Sequence, residues 1–201
     1  IPAANVFAGF AGSAIWTLIP ALFYGYALSK TGLGKRIAYF FMKYVHISIP
    51  GLLIMWAVIG MSLSILTPSL TVRVVIMIPI ALNLAEICNL PKGSKERSLI
   101  LITTWGTALI PSGGWLTGSL TGPILSGLYS AVPGLGPIDF VSWLKVSLVP
   151  IMLLTGLTIV AGYISLKPSG KLDISRDTFI EEYKKLGTVS KNEKVAALVL
   201  V

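Results

Sequence analysis

The sequence predicts an all-α, polytopic membrane protein, on the evidence of its composition, its uncharged runs and the placement of its cations. Hydrophobic residues make up 54% of the 201 residues and charged residues only 12%, whereas soluble domains carry about 25% charged residues. Four stretches contain no Lys, Arg, Asp or Glu, namely 1–29, 44–72, 98–138 and 146–166. Because a membrane span needs about 20 mainly apolar residues, several segments are long enough to cross a bilayer.

The cations are concentrated in short connecting segments. Lys and Arg number four in 30–43, three in 89–97, seven in 167–194 and none in 129–144. Cytoplasmic loops carry the excess of Lys and Arg in membrane proteins, so we predict that the first three segments are cytoplasmic and the fourth is external. We therefore attribute the formal net charge of +8 to membrane topology and not to nucleic-acid binding. We expect a multi-pass protein of the cell membrane, whose partner is the lipid bilayer.

The first elements are a span and a surface helix. We predict a first span at 3–28 that ends before Gly32 and Gly34, since glycine is a common helix stop. Residues 35–44 then combine the basic residues Lys35, Arg36 and Lys43 with the apolar and aromatic run 37–42. A helix of that pattern lies in the membrane interface and faces anionic lipid headgroups, so we predict an interfacial helix there.

A helical hairpin is predicted at 50–88, with apolar arms at 50–66 and 72–88 joined by Thr67-Pro68-Ser69-Leu70-Thr71. Each arm would be about 25 Å long, slightly less than the ~30 Å hydrocarbon core. Two complete spans remain an alternative. We favour a re-entrant pair, because polar side chains and irregular backbone at lipid depth need shelter by protein or water.

A broken helix is predicted at 98–132. The uncharged run 98–138 would be about 60 Å long if it were one helix, which is too long for one straight span. Pro111-Ser112-Gly113-Gly114 interrupts it, and small polar residues continue to Pro123. Discontinuous helices of this kind bind substrates and ions in transporters.

The rest of the chain is predicted to complete one membrane domain. A span at 141–166 returns to the cytoplasm, and a polar linker follows at 167–194, helical around 178–186. The apolar run 195–201 is expected to begin a further span. Cys88 is the single cysteine, so the sequence offers no disulfide framework and we expect this thiol to be a packing residue.

Arg73 is the strongest single candidate for a functional residue. An arginine inside a membrane segment is costly and is a functional-site hypothesis by default. It would either pair with an anionic substrate or supply fixed positive charge where relatives use a bound cation. The alternatives are a buried carboxylate partner, for which Glu86 is the nearest in sequence, or a location in the headgroups. The hydroxyls of Ser69 and Thr71 would serve either ion, although Pro68 and Ser69 also suit a simple turn.

Enzymatic activity is not predicted. The only histidine, His46, lies beside the basic interfacial stretch, away from any candidate nucleophile. The glycine-rich stretches lack the lysine of a phosphate-binding loop, and no His, Cys or carboxylate set has metal-ligand spacing. We therefore expect no cofactor other than, as one alternative, a sodium ion.

Six stretches of the chain carry a family pattern: 27–38 (ALSKTGLGKRIA), 68–73 (PSLTVR), 76–81 (IMIPIA), 115–118 (WLTG), 122–124 (GPI) and 139–150. They resemble the N-terminal half of the divalent anion/sodium symporter family, whose first hairpin has the signature Ser-Asn-Thr. The proline before the tip and the arginine after it resemble the branch of 2-oxoglutarate/malate and citrate-type exchangers. The resemblance covers nearly the whole chain.

The resemblance implies one half of an inverted-repeat, elevator-type secondary transporter, a homodimer that carries di- or tricarboxylate anions by exchange or by sodium-coupled symport. The small organic anion would lie between this hairpin tip and its equivalent in the other half. The candidate substrate-binding residues are Ser69, Leu70, Thr71, Arg73, Thr117 and Thr121. The candidate sodium ligands are Ser69, Leu70, Gly114, Thr117 and Gly118.

The chain departs from the family signature at the tip. Leu70 stands where the signature has Asn, and Ile65 stands where sodium-coupled members often have a serine one helical turn before Ser69. Together with Arg73, these residues favour exchange. Two other functions remain open: a non-transporting scaffold or receptor-like subunit of the same fold, and a relative of arsenite-type anion pumps. A second Ser-Asn-Thr-like hairpin beyond residue 201 would distinguish a transporter from a scaffold.

Overall fold

The computed structural model describes residues 13–44, 48–168 and 176–199, and within them the protein is all-helical. Four parts of the predictions lie outside the described residues: His46, residues 3–12 of the first span, residues 169–175 of the linker and residues 200–201 of the last span. The helices are α1 (Ser13–Thr31), α2 (Leu33–Met42), α3 (Ile49–Leu66), α4 (Leu70–Ile87), α5 (Lys95–Leu109), α6 (Thr121–Ser130), α7 (Phe140–Leu166), α8 (Arg176–Lys185) and α9 (Lys191–Leu198), with a short 3-10 helix at Ile110–Gly114 between α5 and α6.

Short polar side chains set the starts of the long helices. Ser48 accepts a hydrogen bond from the Gly51 amide at the start of α3, and Ser94 accepts one from the Arg97 amide at the start of α5. Asp139 does the same for the first turn of α7. An N-cap oxygen satisfies one of the unpaired amides of the first helical turn, so the helix boundaries follow from these residues.

The central helix of the fold is α5, because both arms of the hairpin pack along it while making few contacts with each other. Gly60 of α3 permits the closest approach: a Cβ there would lie 2.0 Å from the carbonyl oxygen of Thr107 on α5. Trp56 and Met77, one on each arm, are fully buried against this helix layer. The hairpin, α5, the 3-10 helix and α7 thus form one packed group, which we call the hairpin group.

A second set of helices packs beside the first. Helix α2 contacts α1, α8 and α9, and α9 also contacts α1; we call α1, α2, α8 and α9 the outer group. Its core includes Phe179, Leu28 and Met42, which are 0–1% exposed. Arg36 also lies on the buried face of α2, so the picture of this helix as a simple basic surface helix is incomplete.

Three of the described helices are long and apolar enough to cross a membrane: α3, α4 and α7. Helix α7 is the most lipid-like of them, since Thr155 is its one buried residue and large side chains such as Val146, Leu153 and Leu157 are exposed. An apolar surface of this extent needs lipid or further protein around it. The fold is therefore that of a membrane protein.

Candidate functional site

The hairpin tip is an ordered turn built from its own hydroxyls. Helix α3 ends where the Thr67 amide donates to the carbonyl of Leu63, at 3.0 Å. The Ser69 amide donates to Thr67 Oγ1 at 3.2 Å, and Ser69 Oγ accepts from the Val72 amide at 3.3 Å. Thr67 is buried and Ser69 caps α4. The amides of Leu70 and Thr71 remain at the N-terminus of α4, where the helix dipole favours an anion.

Arg73 lies one turn into α4 and is fully buried, with 0% of its surface exposed. Its Nε donates to the carbonyl of Ala108 at 2.7 Å, and its Nη1 donates to the carbonyls of Thr67 and, at 3.0 Å, Gly118. These three carbonyls belong to the hairpin tip, the end of α5 and the loop before α6. One guanidinium therefore joins the tip to the broken helix.

The second terminal nitrogen of Arg73, Nη2, is buried and has no hydrogen-bond partner among the described residues. The partners of the other two nitrogens are carbonyl dipoles rather than a carboxylate. Glu86, the carboxylate considered from the sequence, is exposed on α4. Backbone dipoles do not neutralise a full charge, and an unpaired donor in a buried site is costly. The site therefore carries a net positive charge and an open donor.

The break itself is fastened to α7. Trp143 Nε1 donates to the carbonyl of Gly113 at 3.0 Å, and Ser147 Oγ donates to that of Gly114 at 3.2 Å. After the 3-10 helix the chain turns back on itself so tightly that a Cβ on Gly118 would lie 2.4 Å from the carbonyl oxygen of Ser112. Glycine is required at this position because that close approach leaves no room for a side chain.

The structure brings together some of the candidate residues predicted from the sequence and leaves others apart. Gly118 is bonded to Arg73 through its carbonyl, whereas the carbonyl of Gly114 faces α7. Thr117 and Thr121 are exposed, and Thr121 Oγ1 lies 2.6 Å from Ser119 Oγ. At the tip, Ser69 is half-buried and Leu70 and Thr71 are exposed. Arg73 thus bonds the carbonyls of Thr67 and Gly118, which belong to the two segments that carry these hydroxyls.

Two participating residues, Ala108 and Gly25, were missed from the sequence, and Thr67 was named only as part of the tip. Thr67 and Ala108 contribute carbonyls, for which the side chain gives no signal. Gly25 of α1 lies against the tip, since a Cβ there would be 3.1 Å from Thr67 Oγ1 and 3.4 Å from the Ser69 side chain. A glycine inside an apolar span is a weak sign of close helix packing, and it is the one sequence signal that pointed to this contact.

A family model and several known proteins match this chain. Residues 2–201 match the model of the sodium:sulfate symporter transmembrane region. The chloroplastic dicarboxylate transporter 1 of Arabidopsis thaliana is 27% identical over 98% of this chain, and that of Spinacia oleracea is 28% identical over 97%. A Bacillus subtilis protein named for malate transport is 30% identical over 73% of the chain.

The chain spans about a third of the length of these relatives, 36% of the first, 35% of the second and 31% of the third. The family is one of membrane transporters rather than enzymes. Its model covers nearly every residue, including the hairpin and the broken helix. With its anion-transporting relatives and its membrane-spanning helices, the chain belongs to the sodium:sulfate symporter transmembrane family.

Proposed function

We propose that this chain forms one half of the binding site of a secondary transporter for di- and tricarboxylates, and that the transporter works by exchange. The observation that supports the proposal most strongly is Arg73, buried between the tip and the break with an unpaired nitrogen. The names of the plant relatives, dicarboxylate transporters, support the class of anion. The other half of the site would come from a second hairpin outside residues 1–201.

Exchange is favoured over sodium coupling because the guanidinium lies where a cation would need its ligands. The carbonyl of Gly118 accepts from Arg73, so one candidate sodium ligand already has a charged donor. The Ser147 hydroxyl near the Gly114 carbonyl is shared with the carbonyl of Trp143, which it meets at the shorter distance of 2.7 Å. Two unit charges 4 Å apart repel by about 4 kcal/mol at an effective dielectric of 20. That repulsion would weaken a sodium ion at Gly118 by about three orders of magnitude.

The anion itself would be held at the accessible rim. The N-terminus of α4 presents amides and a positive dipole end, and the hydroxyls of Ser69, Thr71, Thr117 and Thr121 supply donors around it. Arg73 lies beneath and offsets the negative charge of the carboxylates. Leu70 makes the rim more apolar than an asparagine would, so its backbone amide, and not its side chain, would contact the substrate.

The test is uptake of labelled dicarboxylate by the full-length protein in proteoliposomes, with and without internal counter-substrate and with and without a sodium gradient. We expect uptake that requires internal counter-substrate and ignores sodium. Arg73→Ala should abolish uptake, because it removes the charge that offsets the anion. If Arg73 replaces a cation, high sodium should restore part of the uptake in this variant.

Arg97→Ala is the matched control. Arg97 also donates to a backbone carbonyl, that of Leu90 at 3.1 Å, but it lies in the first turn of α5, at the opposite end of that helix from Ala108, so uptake should stay close to the wild-type rate. Unchanged uptake in Arg73→Ala would refute the role of this residue. Stimulation of the wild type by sodium without internal counter-substrate would refute exchange and favour symport.

We further propose, from the family resemblance, that the full-length protein is a homodimer of the cell membrane and moves its hairpin by an elevator-like motion. The hairpin would enter and leave from the cytoplasmic side. Its two 18-residue helices are each about 27 Å long, so their length also allows complete spans, and the need to shelter the polar tip is what favours re-entry. Accessibility of single cysteines placed at the tip to impermeant reagents would test this topology, since labelling from the outside in every state would contradict it.

A further inference from the structure

The chain passes between the outer group and the hairpin group through two connections: one from α2 to α3, and one from α7 to α8. The two groups touch where α2 meets α3 and α4 and where α1 meets α4. Two cavities lie in this contact region. One, of about 500 Å³, lies between Lys35 and Tyr39 of α2 and Pro79 and Asn83 of α4; the other, of about 460 Å³, lies between α2 and α3. Beside these cavities the groups share one apolar core, to which Leu28, Tyr39 and Met77 contribute, and Asn83 Nδ2 of α4 donates to Tyr39 Oη of α2 at 3.1 Å.

Within the outer group, by contrast, one side chain makes an unusually dense set of contacts. Arg36 of α2 donates from Nε to Glu193 Oε1 at 2.7 Å and from Nη2 to Glu193 Oε2 at 3.1 Å. It also donates to the carbonyls of residues 186, 187 and 188, at 3.0–3.3 Å. Arg36 and Glu193 are 8% and 5% exposed. We call these groups the Arg36 network.

The network is pre-shaped on the α8–α9 side. Glu193 Oε2 also accepts from the Ser190 amide at 2.7 Å, while Ser190 Oγ accepts from the Glu193 amide, so the carboxylate is fixed by the N-terminal box of α9. Gly187 has a φ of +65°, a conformation that glycine adopts without strain. Only a planar guanidinium fork reaches the carboxylate and the three carbonyls together.

The other end of α2 is attached to α8 by aromatic contacts. The Lys43 ammonium lies 4.7 Å from the ring centre of Tyr183 on α8 and 4.4 Å from that of Phe40. Phe179 of α8 is 1% exposed in the same core. Helix α2 is therefore attached to the α8–α9 segment along its whole length.

We propose that Arg36 is a positioning residue for transport: it fastens α2 to the α8–α9 turn, so that both connections to the hairpin group, α2–α3 and α7–α8, are held in one frame against which that group moves as a unit. The proposal rests on the proposed transport function. Without the network, the ends of the two connections would shift relative to each other, and the frame against which the hairpin group moves would lose its rigidity. The substrate site, which Arg36 does not touch, would keep its affinity.

The test uses Arg36→Lys in the full-length protein, which keeps the charge and loses the fork, with Glu193→Gln as a second variant that keeps the shape of the side chain. We expect the maximal exchange rate of Arg36→Lys to fall by about tenfold or more while its KM stays within about twofold of the wild type. Lys185→Gln is the control, because Lys185 is an exposed residue that pairs with Glu182 of the same helix and takes no part in the Arg36 network, so both constants should stay unchanged.

A second measurement does not depend on transport. Spin labels at Lys35→Cys on α2 and Lys194→Cys on α9, in a background without reactive cysteines, should give a narrow distance distribution that broadens on Arg36→Lys. An unchanged distribution, an unchanged maximal rate, or a loss of affinity instead of rate would each overturn the proposal. If the wild type takes up no di- or tricarboxylate, the proposed function fails separately, and the distance still decides whether Arg36 fastens the two segments.

Discussion

Gly118→Ala tests whether the bond between the broken helix and Arg73 matters for transport. The added Cβ would lie 2.4 Å from the carbonyl oxygen of Ser112 and 3.1 Å from two further backbone atoms of that residue. Ordinary van der Waals contact begins at 3.4 Å, so the loop must move by about 1 Å. Backbone atoms cannot rotate away as a flexible side chain does.

The consequence falls on the hydrogen bond from Arg73. Its Nη1 lies 3.0 Å from the Gly118 carbonyl, and a shift of about 1 Å takes the pair beyond hydrogen-bonding distance. A hydrogen bond to a charged group is worth about 1.5–3 kcal/mol. That range corresponds to a loss of about 10- to 100-fold in rate, because Nη1 of Arg73 would then keep only its bond to the carbonyl of Thr67.

The assay is counter-substrate exchange in proteoliposomes, with thermal unfolding in detergent as the check on folding. Gly156→Ala on α7 is the matched control, since a Cβ there meets no atom within 4 Å, and it should exchange at the wild-type rate. A Gly118→Ala protein that folds and exchanges within twofold of the wild type would show that the loop tolerates the shift and that the Arg73–Gly118 bond does not serve transport.

Two further predictions concern packing and pH. Gly60→Ala places a Cβ 2.0 Å from the Thr107 carbonyl oxygen and should destabilise the protein by about 1–3 kcal/mol, seen as a lower unfolding temperature; an unchanged temperature would contradict the close α3–α5 contact. The hydrogen bond from Arg36 lowers the pKa of Glu193 below its ordinary 4.5. The Glu193 carboxylate is therefore ionised and the Arg36 network is complete at pH 4.5 and above, and the network is lost as the pH falls through the lowered pKa of the folded state. The spin-label distance should therefore stay narrow at pH 5 and broaden only below pH 4.5, and a broadening at higher pH would contradict this.

The sequence was most informative where a polar or charged residue lies within an apolar stretch. The all-helical fold follows from apolar runs that need internal backbone hydrogen bonds in lipid, and the family resemblance is confirmed by a model that matches residues 2–201. Arg73 stood out for the same reason, as a cation in an uncharged context. The functional roles of the tip and break residues stay predictions.

The sequence was least informative about contacts made by backbone atoms. The acceptors of Arg73 are carbonyls of Thr67, Ala108 and Gly118, and any residue type supplies a carbonyl. The burial of Arg36 was not predicted, because a basic residue in an interfacial helix usually lies on the polar face, against lipid headgroups and water. Its partner, Glu193, lies 157 residues away, and no local pattern links the two.

The two buried arginines differ in whether a carboxylate neutralises their charge, and we expect this difference to separate their roles. Each donates to three backbone carbonyls, but Arg36 also has the carboxylate of Glu193, so its charge is neutralised and each of its nitrogens has a partner. Arg73 has no such carboxylate among the described residues and keeps an unpaired Nη2. A satisfied arginine fastens two segments together, whereas a buried positive charge with an open donor is costly and is retained where an anion repays that cost. We therefore expect the same side chain to serve the frame at position 36 and the ligand at position 73.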